Sequence, residues 1–185
     1  MVNRYNAIRV LTMMALALSS AALLAQTANG TINSTLVNKS GISLVFDTAP
    51  GSVALGNSGT SAASANFGII SAFGTLSAGV TRPTVGPTTF TVQTSFDVNV
   101  IQGGLTSANY TLTANLAVAA ATGISYKVDA VSLTTAAQTI TTNGTYNSDV
   151  AHNLGLVVSM SAPGSGGPAV GFPITATINF TATAN

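Results

Sequence analysis

The feature of this sequence that most constrains its fold is a run of residues, Phe90 to Val100, in which apolar and polar side chains alternate. The apolar positions 90, 92, 96, 98 and 100 fall on one side of an extended chain, the polar positions fall on the other, and only Thr94 breaks the pattern. A period of two residues is typical of a β-strand with one buried face and one wet face. The run therefore predicts a half-buried strand.

Alternation of the same kind recurs along the chain, and turn-forming residues separate the runs. It predicts further strands at 110–118, 154–160 and 174–181, and shorter ones near 42–47, 67–76 and 126–129. The dipeptide Asn143-Gly144 is a strong hairpin signal, because both residues tolerate positive φ. Strands joined by Gly-rich turns, without a helical segment, predict an all-β fold, an antiparallel β-sandwich of immunoglobulin-like or jelly-roll-like type.

The first residues of the chain have the pattern of an export signal. Arg4 and Arg9 precede a short apolar run, and small residues follow it. This order predicts a cleavable helical signal peptide at residues 1–25, and hence a secreted or cell-surface protein. Cleavage after Ala25 fits best, while cleavage after Ala22 or Gly30 stays open.

The remaining residues, 26–185, have the length of one domain. We interpret them as a single sandwich, of which 49–87 is a looser part rich in Gly, Ser and Ala. The apolar side chains of Phe67, Ile69, Ile70 and Phe73 interrupt this looser part. They would have no place to be buried in a linker, so we expect them to pack on the domain.

Charged residues make up 5% of the chain, against about 25% in an ordinary domain, and this scarcity excludes several functions. There is no basic patch to neutralise phosphates, so nucleic-acid binding is not expected. Without cysteine there is neither a disulfide scaffold nor a cysteine-ligated zinc site. The mature chain keeps three basic residues and four aspartates, a formal net charge of −1, and is not expected to hold a stable membrane span.

Catalytic patterns are nearly absent, and we expect no enzyme, no catalytic residues and no cofactor. His152 is the only histidine, and Asp149 lies close to it in sequence, so this pair is the one candidate for a base or for an ion site. No Gly-x-Ser-x-Gly motif accompanies it, and a surface turn is the simpler interpretation. Asp97 and Asp129 could meet across a sheet as a carboxylate pair, although a solvated strand face is commoner. The sequence predicts no metal site and leaves open whether Asp149 and His152 hold an ion.

Threonine is abundant and falls in rows. Thr175, Thr177, Thr181 and Thr183 share one face of the last predicted strand, and Thr111 and Thr113 share a face of another. Such rows could order water, bind ice or adhere to a surface. Threonine is also a good β-former, and we interpret the rows as wet outer faces.

These features together predict an exported, non-catalytic structural or surface protein that works by assembly or adhesion. Edge strands usually carry Lys or Pro, yet the C-terminal strand has no charge. Strand exchange between copies, or with other surface proteins, is therefore predicted through two segments. The residues predicted to take part are Ile32 and Leu36 in the first segment, 31–38, and Ile174, Ile178 and Phe180 in the second, 174–184. In composition alone the mature chain resembles the pilin-type and coat subunits of bacterial surfaces.

An alternative is a secreted module that binds a small ligand or a carbohydrate. Tyr146 follows a turn signal and is the ring most suited to lie exposed against a glycan. Tyr110 and Tyr126 begin apolar faces, so we expect both in the core.

Overall fold

The computed structural model describes residues 41–185, and within them every regular element is a β-strand, which confirms the predicted all-β fold. The predicted signal peptide (1–25) and the predicted exchange segment 31–38 lie outside the described residues. In chain order the strands are β1 (Gly41–Asp47), β2 (Thr81–Val85), β3 (Thr89–Gly103), β4 (Tyr110–Leu116), β5 (Ile124–Val128), β6 (Val131–Ser132), β7 (Gln138–Gly144), β8 (Asp149–Ser159) and β9 (Ile178–Ala184).

The strands form two antiparallel sheets whose inner faces share one apolar core. The larger sheet has the order β1-β3-β8-β5-β6, with β2 also paired to β3, and the smaller sheet has the order β7-β4-β9. The ring of Phe180 in the smaller sheet lies 5.8 Å from that of Phe96 and 5.1 Å from that of Phe46, both in the larger sheet. Both pairs meet edge to face, so the two sheets are in direct contact and the fold is sandwich-like.

The longest strand, β3, follows the predicted alternation, and its inward side chains from 90 to 100 are all buried. The one polar residue among them, Thr94, has both of its hydrogen-bonding roles filled. Its Oγ1 accepts the N–H of Val53 at 2.9 Å, and its hydroxyl donates to the carbonyl of Gly79 at 2.9 Å. The break in the sequence pattern therefore marks the point where the irregular segment 49–80 is anchored to the sheet.

The smaller sheet ends earlier than the alternation in the sequence suggests. The predicted strand 110–118 stops at Leu116, and Val118 is 76% exposed. The predicted C-terminal strand begins at Ile178 rather than at Ile174. The last register pair of β4 and β9 is Leu116 with Ile178, and beyond it only the N–H of Ala117 bonds to the carbonyl of Thr177. A strand forms only where a neighbouring strand pairs with it, and beyond Leu116 and Ile178 the two chains no longer pair.

The short strand predicted near 42–47 forms as β1, whereas the strand predicted at 67–76 is wrong, because that segment is irregular. Gly68 and Gly74 have φ of 64° and 92°, which takes the chain out of the extended region. The Arg82 side chain then holds the segment by donating to the carbonyls of Ser71 (3.0 Å) and Gly74 (2.9 Å).

The hairpin predicted at Asn143-Gly144 is also wrong. Tyr110 pairs with Gly144 and Leu112 with Thr141, so β7 carries an extra residue opposite β4. Asn143, with φ of 58°, lies in this β-bulge, and the chain reverses a few residues later. Asn143 does have the positive φ that the dipeptide predicts, but this conformation forms a β-bulge rather than a hairpin turn.

Candidate functional site

An apolar groove opens at the place where the smaller sheet ends. Past the Leu116–Ile178 pair, irregular chain rather than a strand faces the inner side of the larger sheet. Three side chains of β5 and β8 form the floor, and β3 fixes their level because Leu156 pairs with Val92 and Leu154 with Thr94. The floor residues are Tyr126, Leu154 and Leu156.

Two irregular segments form the walls of the apolar groove, residues 65–70 on one side and residues 170–176 on the other. Its volume is about 800 Å³. Every residue between 41 and 185 that lines it is uncharged, and most of these residues are apolar. A groove of this size and lining excludes strong charge-based recognition and favours an apolar, neutral occupant.

The rim of the apolar groove exposes large apolar side chains to solvent. Ile69 is 88% exposed, Val170 is completely exposed, and Phe172 is 44% exposed. Beyond Phe172 a second depression of about 460 Å³ continues the surface toward the exposed Val118. Single exposed apolar residues are ordinary, but a contiguous set around a groove is typical of an interaction site.

The 170–176 wall also offers free backbone groups. Within residues 41–185, the N–H groups of Ile174, Thr175 and Ala176 donate to no protein acceptor, and Thr175 and Ala176 are exposed. This stretch leads directly into β9, so it has the exposed main chain of a sheet edge without a strand beside it.

The predicted exchange residues of the C-terminal segment lie in different surroundings. Ile174 is part of the groove wall, Ile178 lies where the wall becomes β9, and Phe180 is packed in the aromatic contacts between the sheets. β9 is an edge strand, because β4 is its only strand partner within residues 41–185. Ile32 and Leu36 lie outside the described residues.

His152 is not on a surface turn, and its partner is not Asp149. It lies on the inner face of β8, 3% exposed, and its Nδ1–H donates to Oδ2 of Asp129 at 2.8 Å. Oδ1 of the same carboxylate accepts the N–H of Asn153 at 2.8 Å. Because a carboxylate only accepts, the hydrogen resides on Nδ1, and the buried Nε2 has no partner within the described residues. The pair ties the turn after β5 to β8.

Asp149 and Asp97 lie on the outer face of the larger sheet instead. Asp149 accepts the Nδ2–H of Asn99 at 2.9 Å, and Asp97 is directly opposite Asp47 in the β1–β3 register. Burial raises the pKa of the Asp97 carboxyl, and the negative charges of Asp149 and then Asp47 raise it further, while His152 acts in the opposite direction. The carboxylate pair considered for Asp97 therefore involves Asp47 rather than Asp129.

No three His, Cys, Asp or Glu side chains among residues 41–185 lie close enough to share a metal ion. The acidic face of Asp47, Asp97 and Asp149 is thus a set of separate carboxylates in this part of the chain. The negative charges of these three carboxylates repel one another.

The prediction that the ring of Tyr146 is exposed is wrong. The ring is 7% exposed, packs 5.3 Å from that of Tyr110, and its hydroxyl donates to the carbonyl of Asn109 at 3.0 Å. Tyr110 and Tyr126 are buried as expected, and burial raises the pKa of both hydroxyls.

The threonine rows are neighbours. On the outer face of the smaller sheet, Thr111 is opposite Thr183 and Thr113 is opposite Thr181, with Asn115 opposite Asn179 in continuation. The rows are exposed or half-exposed, as the interpretation of wet outer faces requires. Cross-strand threonine pairs also stabilise a sheet modestly.

Comparison of the chain with protein-family models, with curated protein sequences and with solved structures finds no match. In the part of the chain described here, residues 41–185, there is no helix of the length and apolarity needed to cross a membrane.

The sequence did not predict the groove, although some of the residues that line it stand out in the sequence. The apolar stretch Phe67 to Phe73 stood out because it lacks an alternating pattern inside a Gly- and Ser-rich segment. Val170 and Phe172, which follow the Gly-rich turn after Pro163, had the same signal. The expectation that all four apolar residues of the stretch 67–73 pack on the domain is wrong for two of them, because Ile69 is 88% and Phe73 74% exposed. Phe67 and Ile70 do pack against the core.

Proposed function

We propose that this chain is an exported, non-catalytic structural or surface protein that works by self-assembly, as a pilin-like or coat subunit. The observation that carries the proposal is the uncharged apolar groove with its exposed rim. Burying a side chain such as Ile69, Val170 or Phe172 in a contact with another molecule stabilises that contact by about 1.5–3 kcal/mol when burial is complete.

The distribution of charge supports assembly through this part of the surface. The carboxylates of Asp47, Asp97 and Asp149 lie on the outer face of the larger sheet, and the groove lining is uncharged. With a net charge of −1 on the mature chain, long-range repulsion between copies is small.

The surroundings of His152 support the absence of catalysis. A general base must reach a proton on a bound substrate. The Nε2 atom of His152, which has no partner among residues 41–185, is buried, and its ring lies 5.9 Å from that of Phe96, so it is not open to a substrate at the surface.

The test is the size of the mature protein, residues 26–185, measured by light scattering after gel filtration, with negative-stain images of the same sample. The proposal predicts filaments or large ordered oligomers. A monomer that persists across a range of concentrations contradicts it.

Two finer statements belong to the same proposal. We propose that the sandwich-like fold is of immunoglobulin-like or jelly-roll-like type, which a crystal structure of residues 26–185 decides from the order of all its strands. We also propose export by the predicted signal peptide to the bacterial surface. N-terminal sequencing of the protein recovered from the cell exterior distinguishes cleavage after Ala22, Ala25 and Gly30.

One observation favours a second candidate function, binding of a small ligand. The volume of the groove, about 800 Å³, is within the range of ligand sites, and its lining suits an apolar ligand better than a glycan. Tyr126 is in the floor and the chain has no tryptophan, so tyrosine fluorescence reports on occupation of the groove. Saturable quenching by an apolar ligand or a glycan, with a monomeric protein, would favour this candidate.

A further inference from the structure

The first described residue and the apolar groove lie toward opposite ends of the larger sheet. Gly41, the first described residue, is opposite Gly103 at one end of the β1–β3 pair. The floor residues Leu154 and Leu156 are level with Thr94 and Val92 of β3. Nine to eleven residues of β3 separate these levels, a distance of about 30–36 Å at about 3.3 Å per residue.

This distance limits what can fill the groove. Leu36 is five residues before Gly41, and five residues span at most about 18 Å. The segment 31–38 of a subunit is therefore too short to place Leu36 in the groove of the same subunit. A second copy has no such restriction.

The chemistry of the segment matches the groove. Residues 31–38, TINSTLVN, are uncharged, as is the groove lining. In an extended chain Ile32 and Leu36 point to the same side, about 13 Å apart, and can contact the apolar floor together. The N–H groups of Ile174, Thr175 and Ala176, which have no acceptor within residues 41–185, can bond to the carbonyls of a strand laid beside them.

We propose that residues 31–38 of one copy bind in the apolar groove of a second copy, as an added strand alongside the 170–176 wall. This inference rests on the proposed function, because it names the partner and the segment through which the subunits assemble. Each subunit then donates its own segment 31–38 and accepts one, so the contact runs head to tail and generates a chain of subunits.

The absence of cysteine from the sequence makes cross-linking a clean test. Leu36→Cys and Ile174→Cys are made as separate variants of residues 26–185, one carrying a mass tag, and are mixed under mild oxidation. The proposal predicts a mixed disulfide dimer at least tenfold more abundant than that formed by Leu36→Cys with Ile101→Cys. Ile101 is an exposed apolar residue of β3 close to the Gly41 end and serves as the control. Equal cross-linking to both sites overturns the inference.

A double variant, Leu36→Cys/Ile174→Cys, distinguishes donation between copies from occupation within one chain. Covalent multimers are expected, and an intramolecular disulfide in a monomer overturns the inference. A peptide of residues 31–38 supplies a measurement on the unmodified protein. It should block assembly, whereas the same peptide with Ile32→Ser and Leu36→Ser should not. If the protein assembles while the cross-link and the peptide effect are both missing, this inference fails and the proposed function stands. A monomeric protein defeats both.

Discussion

The ring of Tyr110 occupies the space that a Cβ atom would need at Gly144, its partner in the β4–β7 register, so any side chain there would collide with the ring. Tyr110 is completely buried, and on its other flank it packs against Tyr146. Only glycine, which has no side chain, fits at this position in the bulged end of β7. Tyr146 is held in the core by its contact with the Tyr110 ring and by the hydrogen bond of its hydroxyl to the carbonyl of Asn109.

Replacement of Gly144 by alanine should destabilise the protein by about 1–3 kcal/mol, because Tyr110 has no space into which it can move. Chemical denaturation of both proteins measures the change. Gly103→Ala is the matched control, since no atom of residues 41–185 lies within 4 Å of the position that its Cβ would occupy. Similar losses for the two variants would contradict the contact described.

Thr94→Val should cost about 1–3 kcal/mol, because it leaves the N–H of Val53 and the carbonyl of Gly79 without their partner. The free energy of unfolding gives the total effect, and hydrogen exchange at the Val53 amide should become faster. Thr91→Val changes the same group on the half-exposed opposite face of β3 and should be nearly neutral. An unchanged exchange rate at Val53 would show that Thr94 does not anchor segment 49–80.

Asp97→Asn should stabilise the protein at neutral pH. The pKa of Asp97 is raised in the folded state, so its charged form is disfavoured there, and this penalty develops as pH rises through the ordinary pKa and is complete above the raised value. Because solvent screens the charge of this partly exposed carboxylate, we expect a gain on the order of a few tenths of a kcal/mol at pH 7, decreasing toward zero near pH 3. Thermal unfolding of both proteins across this range measures it.

The matched control for that change is Asp129→Asn, which should have the opposite sign. This carboxylate accepts hydrogen bonds from His152 and from the backbone of Asn153, and the amide cannot replace both equally well. A loss of about 1–3 kcal/mol is expected. Stabilisation by both variants would mean that a general effect of charge removal, rather than local geometry, determines the result.

In the neutral form of the His152 ring, the hydrogen should reside on Nδ1. The reason is geometric, because Nδ1 faces the Asp129 carboxylate while Nε2 has no partner within residues 41–185. As the chain contains one histidine, a nitrogen-15 NMR spectrum of histidine-labelled protein gives an unambiguous answer. A ring protonated on Nε2 would contradict the described pair.

The parts of the fold that depend on local pattern could be predicted from the sequence. The alternation from Phe90 to Val100 predicted β3, because burial of one strand face repeats every second residue. The observed strand ends, Leu116 in β4 and Ile178 in β9, could not be predicted, since they depend on where a partner strand stops. The partner of His152 was missed for the same reason, because Asp129 is distant in sequence and close only through the β5–β8 pairing.

The candidate site was the least predictable feature. It arises because β4 and β9 end together, which leaves Leu154 and Leu156 facing irregular chain. Nothing in the alternation of β8 distinguishes these two residues from other core positions. The unusual exposure of apolar wall residues such as Ile69 and Val170 can be seen only in the folded structure, where the position of both sheets is known.

The most direct test of the central claim, that copies assemble through the apolar groove, is the mass by light scattering of residues 26–185 carrying Ile69→Ser and Val170→Ser. Both residues are on the rim and largely exposed, so the variant should keep its fold, which circular dichroism checks. The account predicts that wild type and the control Ile101→Ser form large assemblies and that the rim variant is monomeric. Assembly of the rim variant to the same mass as the wild type would contradict it.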